Sequence, residues 1–572
     1  MQLKPLYEVR NIENLRDMLE QSIKHYGAKD AFLVKDSAGS YRGISYTRFG
    51  EDVNALGAAL ADLGLENSFI AVMGENRYEW CVSYLAAANH IGVIVPIDKE
   101  LPESEKGNLL SRSGAAAVVF SGKFTDELRS ISRTLETIRF YIDMDLKEDS
   151  DGFLSYQKLL ERGRNLISEG KFDSSGHHIE NDKLGILLFT SGTMDLAKGV
   201  MLSHSNICAD LMAVCQTVYA GSRDVTLSIL PVHHTYECTV GFLAMIYRGA
   251  TIAFNEGLKQ ILKNFKEAKP TFLITVPLIL ESIYKKIWEQ AGKKKGMKTI
   301  LRIAMFAGGA FYNIFGVDIR RKLFHTIHET FGGRLRLIMT GAAAISPEVS
   351  KGFRSFGISV LQGYGLTECS PLVIGNRDGA FKDDSIGLPI PGVTVRIDNP
   401  DENGIGEIVA KGGNVMLGYF KNEKATESCL KDGWFHTGDL GRVDRNGFYY
   451  ITGRQKNVIV TKNGKNIFPE EVEAYINKSP FVLESMVTGD FDSESGETHV
   501  NANIFPNIDE IKEKLKLVNI NKEELLRIFN EVIRNVNRDM PLYKRIRTFT
   551  IRDVEFAKTT TKKIKRYAEK GG

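Results

Sequence analysis

Short apolar runs alternate with helix-length amphipathic segments from the N-terminus to about residue 375. The segment LRDMLEQSIKHYG spaces its apolar residues as one face of a helix does, and the pair Ser346-Pro347 is typical of a helix start. The runs that predict buried strands are FIAVMG, GVIVPI, AAAVVF, GILLFT, VTLSIL, TFLITV, RLIMTG and SVLQGYG. Strands and helices in alternation predict an α/β fold with mostly parallel sheets covered by helices.

The pattern changes after Asn376. The segments GLPIPGVTVRID, GIGEIVAKGG, GFYYITG and NVIVTKNG are short and bounded by turn residues, which is typical of antiparallel β structure. A smaller basic segment follows, in which EELLRIFNEVIRNVNRDM predicts one long helix. We place a domain boundary close to Arg454, which divides the chain into an N-terminal domain, 1–455, and a C-terminal domain, 456–572.

Composition narrows the class of protein. The 572 residues are 43% hydrophobic and 25% charged, and 74 basic against 71 acidic residues give a net charge of +3. So small a basic excess argues against a nucleic-acid-binding protein. The six cysteines are scattered with no CxxC pair, the N-terminus does not resemble a signal peptide, and no apolar stretch reaches the ~18 residues of a membrane-spanning helix. We therefore expect a reduced, cytoplasmic protein that is soluble or at most peripheral to a membrane.

The most informative motif is ILLFTSGTMDLAKG at 186–199, where an apolar run breaks into a loop rich in hydroxyl groups and glycine. Such a loop offers backbone N–H groups, hydroxyls and one ammonium to a polyphosphate. The side chains that it offers are those of Thr190, Ser191, Thr193 and Lys198. It is not the common P-loop, because Ala197 and Gly199 flank the lysine where that motif has glycine and Ser or Thr.

QGYGLTECSP, at 362–371, places Thr367 and Glu368 directly after a predicted strand. A carboxylate and a hydroxyl at a strand end can hold Mg²⁺, and Tyr364 offers a flat face to a nucleotide base. The alternatives are a packed core aromatic for Tyr364 and a helix N-terminal acid for Glu368.

Three later segments carry further candidates. In DGWFHTGDLG, at 432–441, Asp439 can accept two hydrogen bonds from a ribose diol, or it can close its own turn. The stretch ITGRQKNVIVTKNGKNIFPEEVE, at 451–473, resembles a hairpin whose Arg454 and Lys456 can also be a solvated sheet edge. The basic run KTTTKKIKR, at 558–566, is by itself typical of an exposed tail.

The order and spacing of these five segments, from about residue 20 to the end, resemble the AMP-forming adenylating enzymes. That superfamily includes acyl-CoA synthetases, firefly luciferase-type enzymes and the adenylation domains of peptide synthetases. Within it, LPVHHTYE and VTKNGKNIFPEEVE look most like bacterial long-chain fatty acid–CoA ligases. The resemblance implies a large N-terminal domain of helix-covered, mostly parallel sheets with a small β-barrel-like subdomain, followed by a small mobile α+β C-terminal domain.

The resemblance also implies a two-step ligase reaction. A carboxylate attacks the α-phosphate of Mg·ATP to give an acyl-adenylate and pyrophosphate, and the thiol of coenzyme A then displaces AMP. For the β- and γ-phosphates, the matching positions are Thr190, Ser191, Gly192, Thr193 and Lys198. For adenine they are Tyr364, Gly365, Gly341, Ala342 and Ala343. Glu368 matches the Mg²⁺ ligand, with Thr193 as a second ligand, and Thr367 would contact the α-phosphate.

The remaining roles that the resemblance implies fall later in the chain, with one exception. Asp439 would bind the ribose hydroxyls with support from Arg454, and Lys456 matches the hinge of the C-terminal domain. Lys563 matches the lysine that reaches the reacting α-phosphate and carboxylate. The exception is His234, which would lie at the mouth of the acyl pocket; its alternative is a core histidine.

The sequence departs from the family pattern in two places. Met194 and Asp195 stand where the family has Thr-Gly, and Ala197 stands where it has proline. We expect a carboxylate beside a polyphosphate to weaken ATP binding unless Asp195 points away or a cation intervenes. Lys562 stands where glycine is usual, so the choice of Lys563 rests on alignment to the IKR that follows.

Three functions stay open at this point. The leading interpretation is an ATP-dependent fatty acid–CoA ligase; the second keeps adenylation but uses an acyl carrier protein as acceptor; the third is a degenerate protein that binds acyl-adenylate without turnover. The predicted partners are a fatty acid, ATP, Mg²⁺ and coenzyme A, and the resembling enzymes are commonly homodimers. For YKKIWEQAGKKKG and FGVDIRRKLFHTIHETF, a solvated helix is one interpretation and peripheral contact with the inner membrane face is the other.

Overall fold

A computed structural model describes residues 3–173, 176–190, 197–461, 466–492, 497–558 and 564–566. The chain divides into two compact units. Unit 1 contains Met1–Ser191, Leu196–Val395 and Ala410–Phe435, and unit 2 contains Arg396–Val409 and His436–Gly572. The boundary that we place near residue 455 predicts which part of the chain moves as the C-terminal domain, and it stays a prediction.

Eighteen α-helices are described. In chain order they are α1 (Leu15–Tyr26), α2 (Tyr46–Asp62), α3 (Tyr78–His90), α4 (Glu103–Ser113), α5 (Thr125–Ile131), α6 (Tyr156–Ser168), α7 (His204–Thr217), α8 (Ala244–Tyr247), α9 (Ile261–Ala268), α10 (Pro277–Gly292), α11 (Met297–Phe315), α12 (Arg320–Leu323), α13 (His325–Thr330), α14 (Pro347–Ser355), α15 (Glu423–Cys429), α16 (Pro469–Ile476), α17 (Ile508–Leu515) and α18 (Lys522–Arg538). Among the residues that the structure describes, no helix is both long enough and apolar enough to cross a membrane.

The described strands number 27. In chain order they are β1 (Asp30–Lys35), β2 (Tyr41–Ser45), β3 (Phe69–Met73), β4 (Val93–Ile97), β5 (Ala117–Phe120), β6 (Phe140–Asp143), β7 (Phe153–Ser155), β8 (Leu184–Thr190), β9 (Lys198–Ser203), β10 (Val225–Ser228), β11 (Thr251–Phe254), β12 (Phe272–Thr275), β13 (Leu337–Thr340), β14 (Ser359–Gly365), β15 (Leu372–Gly375), β16 (Leu388–Pro389), β17 (Val393–Asp398), β18 (Gly406–Gly412), β19 (Gly418–Tyr419), β20 (Leu430–Lys431), β21 (Trp434–Val443), β22 (Tyr449–Arg454), β23 (Ile459–Val460), β24 (Asn466–Ile467), β25 (Val482–Asp492), β26 (Glu497–Pro506) and β27 (Ile546–Ile551).

Two large sheets form the centre of unit 1. One has the order β16-β15-β14-β13-β12-β10-β11-β1-β2, and the other has the order β19-β9-β8-β4-β3-β5-β6-β7. Pairing is parallel from β14 through to β1 in the first sheet and from β8 through to β7 in the second. The remaining pairs, β16-β15, β15-β14 and β1-β2 in the first sheet and β19-β9 and β9-β8 in the second, are antiparallel. The apolar runs are the central parallel strands, which are buried on both faces. The predicted α/β class with mostly parallel sheets is confirmed.

In the later part of the chain, β16, β22 and β23 fall in segments that the sequence predicts to be antiparallel, and each pairs antiparallel with its neighbour. A five-stranded sheet has the order β17-β18-β21-β20, with β22 paired to β21, and β23 pairs with β24. In unit 2, the long predicted helix is α18. It buries Ile528, Phe529, Val532 and Ile533 in a core shared with the three-stranded sheet β25-β26-β27.

Candidate functional site

Thr190 and Lys198 lie opposite each other where β8 and β9 pair as an antiparallel hairpin. Thr190 is the last residue of β8 and Lys198 is the first residue of β9. The Thr190 hydroxyl donates to the Lys198 carbonyl oxygen at 3.4 Å. The predicted phosphate loop therefore connects two paired strands, whereas a P-loop connects a strand to a helix. Its inner residues lie outside the described part of the chain: Ser191, Gly192, Thr193, Met194 and Asp195.

One aromatic ring joins Lys198 to Glu368. Lys198 Nζ lies 4.9 Å from the centre of the Tyr419 ring, and the Tyr419 hydroxyl donates to Glu368 Oε1 at 2.8 Å. Burial, followed by the nearby Glu368 carboxylate, raises the pKa of Tyr419, so its hydroxyl keeps the proton that it donates. The structure thus brings together two predicted site residues, and Tyr419 is a third that no motif indicates.

The turn after β14 presents Thr367 and Glu368. β14 ends at Gly365, and a short 3₁₀ turn, Thr367–Cys369, follows. A Cβ atom on Gly365 would lie 1.9 Å from the Pro371 carbonyl oxygen, so a larger residue cannot occupy this position. The turn places both polar side chains at the carboxyl end of a parallel strand, where ligands bind in sheets of this kind.

The residues predicted to contact adenine lie at the ends of β13 and β14, which pair in parallel. A Cβ atom on Gly341 would lie 3.3 Å from the Gly363 carbonyl oxygen, so the two backbones approach closely. Ala342 has a φ of +69°, a left-handed conformation that costs a residue with a Cβ about 1–2 kcal/mol. Ala342 and Ala343 are exposed, whereas Tyr364 is buried. These positions share one edge of the sheet.

The strand ends of both large sheets meet at the loop after β10. Asn76, just beyond β3, donates from its side-chain amide to the Ser228 hydroxyl at 2.8 Å. Asp98, directly after β4, has its Oδ1 3.3 Å from His233 Nε2. The rings of His233 and His234 lie 4.5 Å apart, centre to centre. His234, the predicted acyl-pocket residue, therefore lies where carboxyl ends from the two sheets face each other, the usual place for a ligand crevice.

A π-helical segment, Tyr236–Leu243, follows His234 and is not predicted by the sequence pattern. The Tyr236 ring reaches Gly341, where a Cβ atom would lie 3.4 Å from Tyr236 Cζ. Glu237 is fully buried, and the Ser228 hydroxyl donates to its Oε1 at 2.5 Å. Burial raises the pKa of the Glu237 carboxyl to about 8, so this side chain is mostly protonated at neutral pH. Such π-helical segments frequently occur at functional sites.

Glu237→Gln is expected to flatten the pH dependence of stability. Because the folded-state pKa of about 8 exceeds the ordinary value of 4.5, folding keeps a proton that the unfolded chain releases between these values. The protonated Glu237 carboxyl therefore makes its full contribution to stability below pH 4.5. That contribution falls as the pH rises above 4.5 and is lost once the pH passes 8. Between about pH 5 and 8, the free energy of unfolding of the wild type should fall by up to about 4 kcal/mol relative to that of the variant. Urea denaturation of both proteins across this range measures the difference, and parallel stability curves would contradict the buried, protonated state.

In unit 2, Asp439 and Arg454 form an ion pair. They are cross-strand partners on β21 and β22, and Arg454 Nε lies 2.6 Å from Asp439 Oδ1. Asp439 is buried and Arg454 is about half exposed, so the guanidinium orients the carboxylate from the solvent side. Lys456 is exposed in the 3₁₀ turn that follows β22, and its hinge role stays a prediction.

Lys562 and Lys563 lie outside the described residues, but the chain on either side is anchored within unit 2. Lys558 and Ile564 form an antiparallel bridge. Two residues further on, the Arg566 guanidinium donates to Glu473 Oε1 on α16 at 2.6 Å. The described residues that flank the predicted adenylation lysine in the sequence, Lys558, Ile564 and Arg566, are therefore bonded within unit 2.

Comparison with known proteins gives the family. The sequence model of the family described as AMP-binding enzyme matches residues 19–420. Fatty acyl-CoA synthetase A of Dictyostelium discoideum is 30% identical over 493 residues, which cover 80% of this chain and 71% of that protein. Long-chain-fatty-acid–CoA ligase FadD15 of Mycobacterium bovis is 26% identical, over 79% of this chain and 76% of that protein.

Solved structures agree on the fold. The anthranilate CoA ligase AuaEII in complex with anthranoyl-AMP superposes with a TM-score of 0.75 at 21% identity, covering 99% of this chain and 97% of that one. The resemblance identified from the five motifs is confirmed. The match over most of the chain and the relative at 30% identity show that this protein belongs to the family of AMP-binding enzymes.

Proposed function

We propose that this protein is an AMP-forming ligase that activates a long-chain fatty acid as acyl-AMP, releases pyrophosphate and transfers the acyl group to coenzyme A. The observation that carries the proposal is the cluster of Lys198, Tyr419 and Glu368 in a member of the AMP-binding family. The names of the relatives, a fatty acyl-CoA synthetase and a long-chain fatty acid–CoA ligase, support the substrate class.

The proposed phosphate-binding site begins at the β8–β9 hairpin. Lys198 would bring its ammonium to the β- and γ-phosphates from the first position of β9, and Thr190 would bring its hydroxyl from across the hairpin. Three loop residues are proposed to complete this phosphate-binding site: Ser191, Gly192 and Thr193. This arrangement would hold the pyrophosphate leaving group in position, so that a carboxylate could attack the α-phosphate in line.

Glu368 fits an Mg²⁺ ion because it offers hard carboxylate oxygens at a strand end. Its Oε1 already accepts a hydrogen bond from Tyr419, which would fix the orientation of the carboxylate as outer hydrogen bonds do at metal sites. Thr193 is the second proposed ligand. When bound, the ion would neutralise charge on the phosphate oxygens, while Thr367 would donate its hydroxyl to the α-phosphate.

The remaining site residues are proposed to orient the nucleotide and drive the two steps. Asp439, oriented by Arg454, would accept hydrogen bonds from the ribose hydroxyls. Lys563 would neutralise the charge that develops at the α-phosphate, and rotation at Lys456 would exchange the two half-reactions. The positions proposed to surround adenine are Tyr364, Gly365, Gly341, Ala342 and Ala343, and His234 is proposed to border the acyl chain.

A pyrophosphate-release assay tests the proposal directly. With ATP, Mg²⁺ and palmitate, we expect pyrophosphate release, and adding coenzyme A should yield palmitoyl-CoA with one AMP for each thioester. Release without any thioester would instead favour an acyl carrier protein as the acceptor. Absence of release with fatty acids of every length tested would contradict the proposal and favour a protein that binds acyl-adenylate without turnover.

A further inference from the structure

Three side chains that can bind a metal ion converge where the two large sheets of unit 1 face each other. Asp98 lies directly after β4, and His233 and His234 lie in the loop that follows β10. One ligand atom from each of the three side chains lies within 4.8 Å of the other two. In the described part of the chain, this is the only group of three histidine, cysteine or carboxylate side chains placed to share one ion.

The separations suit an ion of the size of Zn²⁺. Two ligand atoms that each lie about 2.0–2.1 Å from a tetrahedral ion are about 3.3–3.4 Å apart. Asp98 Oδ1 and His233 Nε2 are 3.3 Å apart. The rings of His233 and His234 lie 4.5 Å apart, centre to centre, so rotation of the half-buried His234 side chain would bring one of its nitrogens to a third ligand position.

His233 is buried without a hydrogen bond. It is 7% exposed, and neither of its ring nitrogens has hydrogen-bond geometry to any described residue, although Nε2 lies close to Asp98. A neutral imidazole has one donor and one acceptor nitrogen, and buried polar atoms in native proteins nearly always have a partner. A metal ion is a partner for the acceptor nitrogen. The alternative is a protonated His233 that forms only an ion pair with Asp98.

The backbone that carries the two histidines is fixed on both sides. Before the pair, the Val232 N–H donates to the side-chain oxygen of Asn76 at 3.0 Å. After the pair, the Cys238 N–H donates to the His234 carbonyl oxygen at 2.8 Å. The loop therefore holds both imidazoles near Asp98, and only side-chain rotation is needed to complete a site.

We propose that Asp98, His233 and His234 form a binding site for a first-row transition-metal dication, and that Zn²⁺ is the ion it fits best. Two imidazoles and one carboxylate are the donor set of three-ligand zinc sites, in which water or a substrate takes the fourth position. Mg²⁺ takes oxygen ligands, so this site differs in chemistry from the one proposed at Glu368. Binding of the ion does not depend on the proposed function.

Cobalt titration of the full chain, without an affinity tag and without nucleotide, tests the proposal. Tetrahedral Co²⁺ absorbs visible light far more strongly than six-coordinate Co²⁺, so we expect an intense visible band that saturates at one ion per chain. Zn²⁺ should displace Co²⁺ and abolish the band, whereas an excess of Mg²⁺ should not. Zn²⁺ should also raise the thermal midpoint, because it binds the folded chain in preference to the unfolded one.

Two variants remove ligands from the site. Asp98→Asn removes the charge and keeps the shape, and His234→Ala removes the half-buried imidazole. Each should lower the affinity for Co²⁺ at least about tenfold, since even the loss of a group that only orients a ligand costs that much. Each should also abolish the rise in thermal midpoint with Zn²⁺.

His325→Ala is the matched control. His325 Nε2 lies 3.6 Å from Glu329 Oε1 on the surface of α13, and this exposed imidazole–carboxylate pair belongs to no three-ligand group among the described residues. The variant should bind Co²⁺ as the wild type does.

Several results would overturn the proposal. Absence of an intense visible band, or a weak six-coordinate spectrum that Mg²⁺ removes, would leave Asp98 and His233 as an ion pair only. A thiolate-to-cobalt band in the near ultraviolet would assign the ion to a cysteine. Unchanged affinity in both Asp98→Asn and His234→Ala, or an equal loss in His325→Ala, would show that the ion binds elsewhere.

Zinc at this site should inhibit adenylation, a consequence that rests on the proposed function because His234 is proposed to border the acyl chain. In the pyrophosphate-release assay, Asp98→Asn should need at least about ten times more Zn²⁺ than the wild type for the same fractional inhibition, each relative to its own zinc-free rate. Equal sensitivity of the two proteins would contradict this consequence. Cobalt binding by a protein that releases no pyrophosphate would contradict the proposed function and leave the metal site intact.

Discussion

Lys563→Ala should lower the rate of pyrophosphate release by about 100- to 1,000-fold, the range found when one preorganised donor to a developing negative charge is removed. Thioester formation from supplied acyl-AMP should stay close to the wild-type rate. In the proposed mechanism, the ammonium would act on the α-phosphate only while that centre is under attack, and in the second step the proposed rotation at Lys456 would carry it away. Measuring the two half-reactions separately gives the two rates.

Lys562→Ala is the matched control, because it removes an equal charge one residue away. The anchors at Lys558–Ile564 and at Arg566–Glu473 are untouched by either change, so the segment should stay attached to unit 2 in both variants. If both half-reactions fall equally in Lys563→Ala, or if Lys562→Ala shows the larger loss of pyrophosphate release, the assignment of the adenylation lysine is wrong.

Glu368→Gln is expected to lower adenylation at least about 100-fold and to raise the Mg²⁺ concentration needed for half-maximal rate. The amide oxygen can still accept the Tyr419 hydrogen bond, so the change removes the charge and leaves the shape of the site. Tyr419→Phe keeps the ring beside Lys198 but removes the donor, and a loss of about tenfold is expected. Pyrophosphate release titrated with Mg²⁺ distinguishes the two variants.

Glu423→Gln provides the comparison for charge alone. Glu423 is exposed on α15, close in sequence to Tyr419, so its removal changes the net charge without touching the cluster. An unchanged Mg²⁺ dependence in Glu368→Gln would show that Glu368 is not a metal ligand. A shift of the same size in Glu423→Gln would show that the effect reflects general electrostatics.

Local patterns in the sequence predicted the strands well, because a buried parallel strand must be a short apolar run whatever its neighbours are. The central strands β3, β4 and β13 fall within the runs named from the sequence. The structure also pairs Asp439 with Arg454, whereas the ribose-binding role that the resemblance implies for them stays a prediction.

Contacts between distant segments could not be predicted in this way. Tyr419 approaches Glu368 because its segment pairs with β9 and because the Met416 N–H donates to the Glu368 carbonyl oxygen at 2.8 Å. No spacing rule connects a two-residue strand to a turn so far away. The burial of Glu237 depends on a π-helical segment that has no periodic signal.

The position of β9 between β8 and β19 has a consequence for turnover. β9 is bonded on both sides from Gly199 onward, and Lys198, at its first position, pairs with Thr190. We therefore expect the four-carbon side chain of Lys198 to move more readily than its backbone. If Lys198 binds pyrophosphate, release of this product would require the Lys198 side chain to reorient and its ammonium to become hydrated again. The sheet would not have to open. Viscous solvents, which slow large movements most, would then hinder this exit far less than they hinder the exchange between half-reactions.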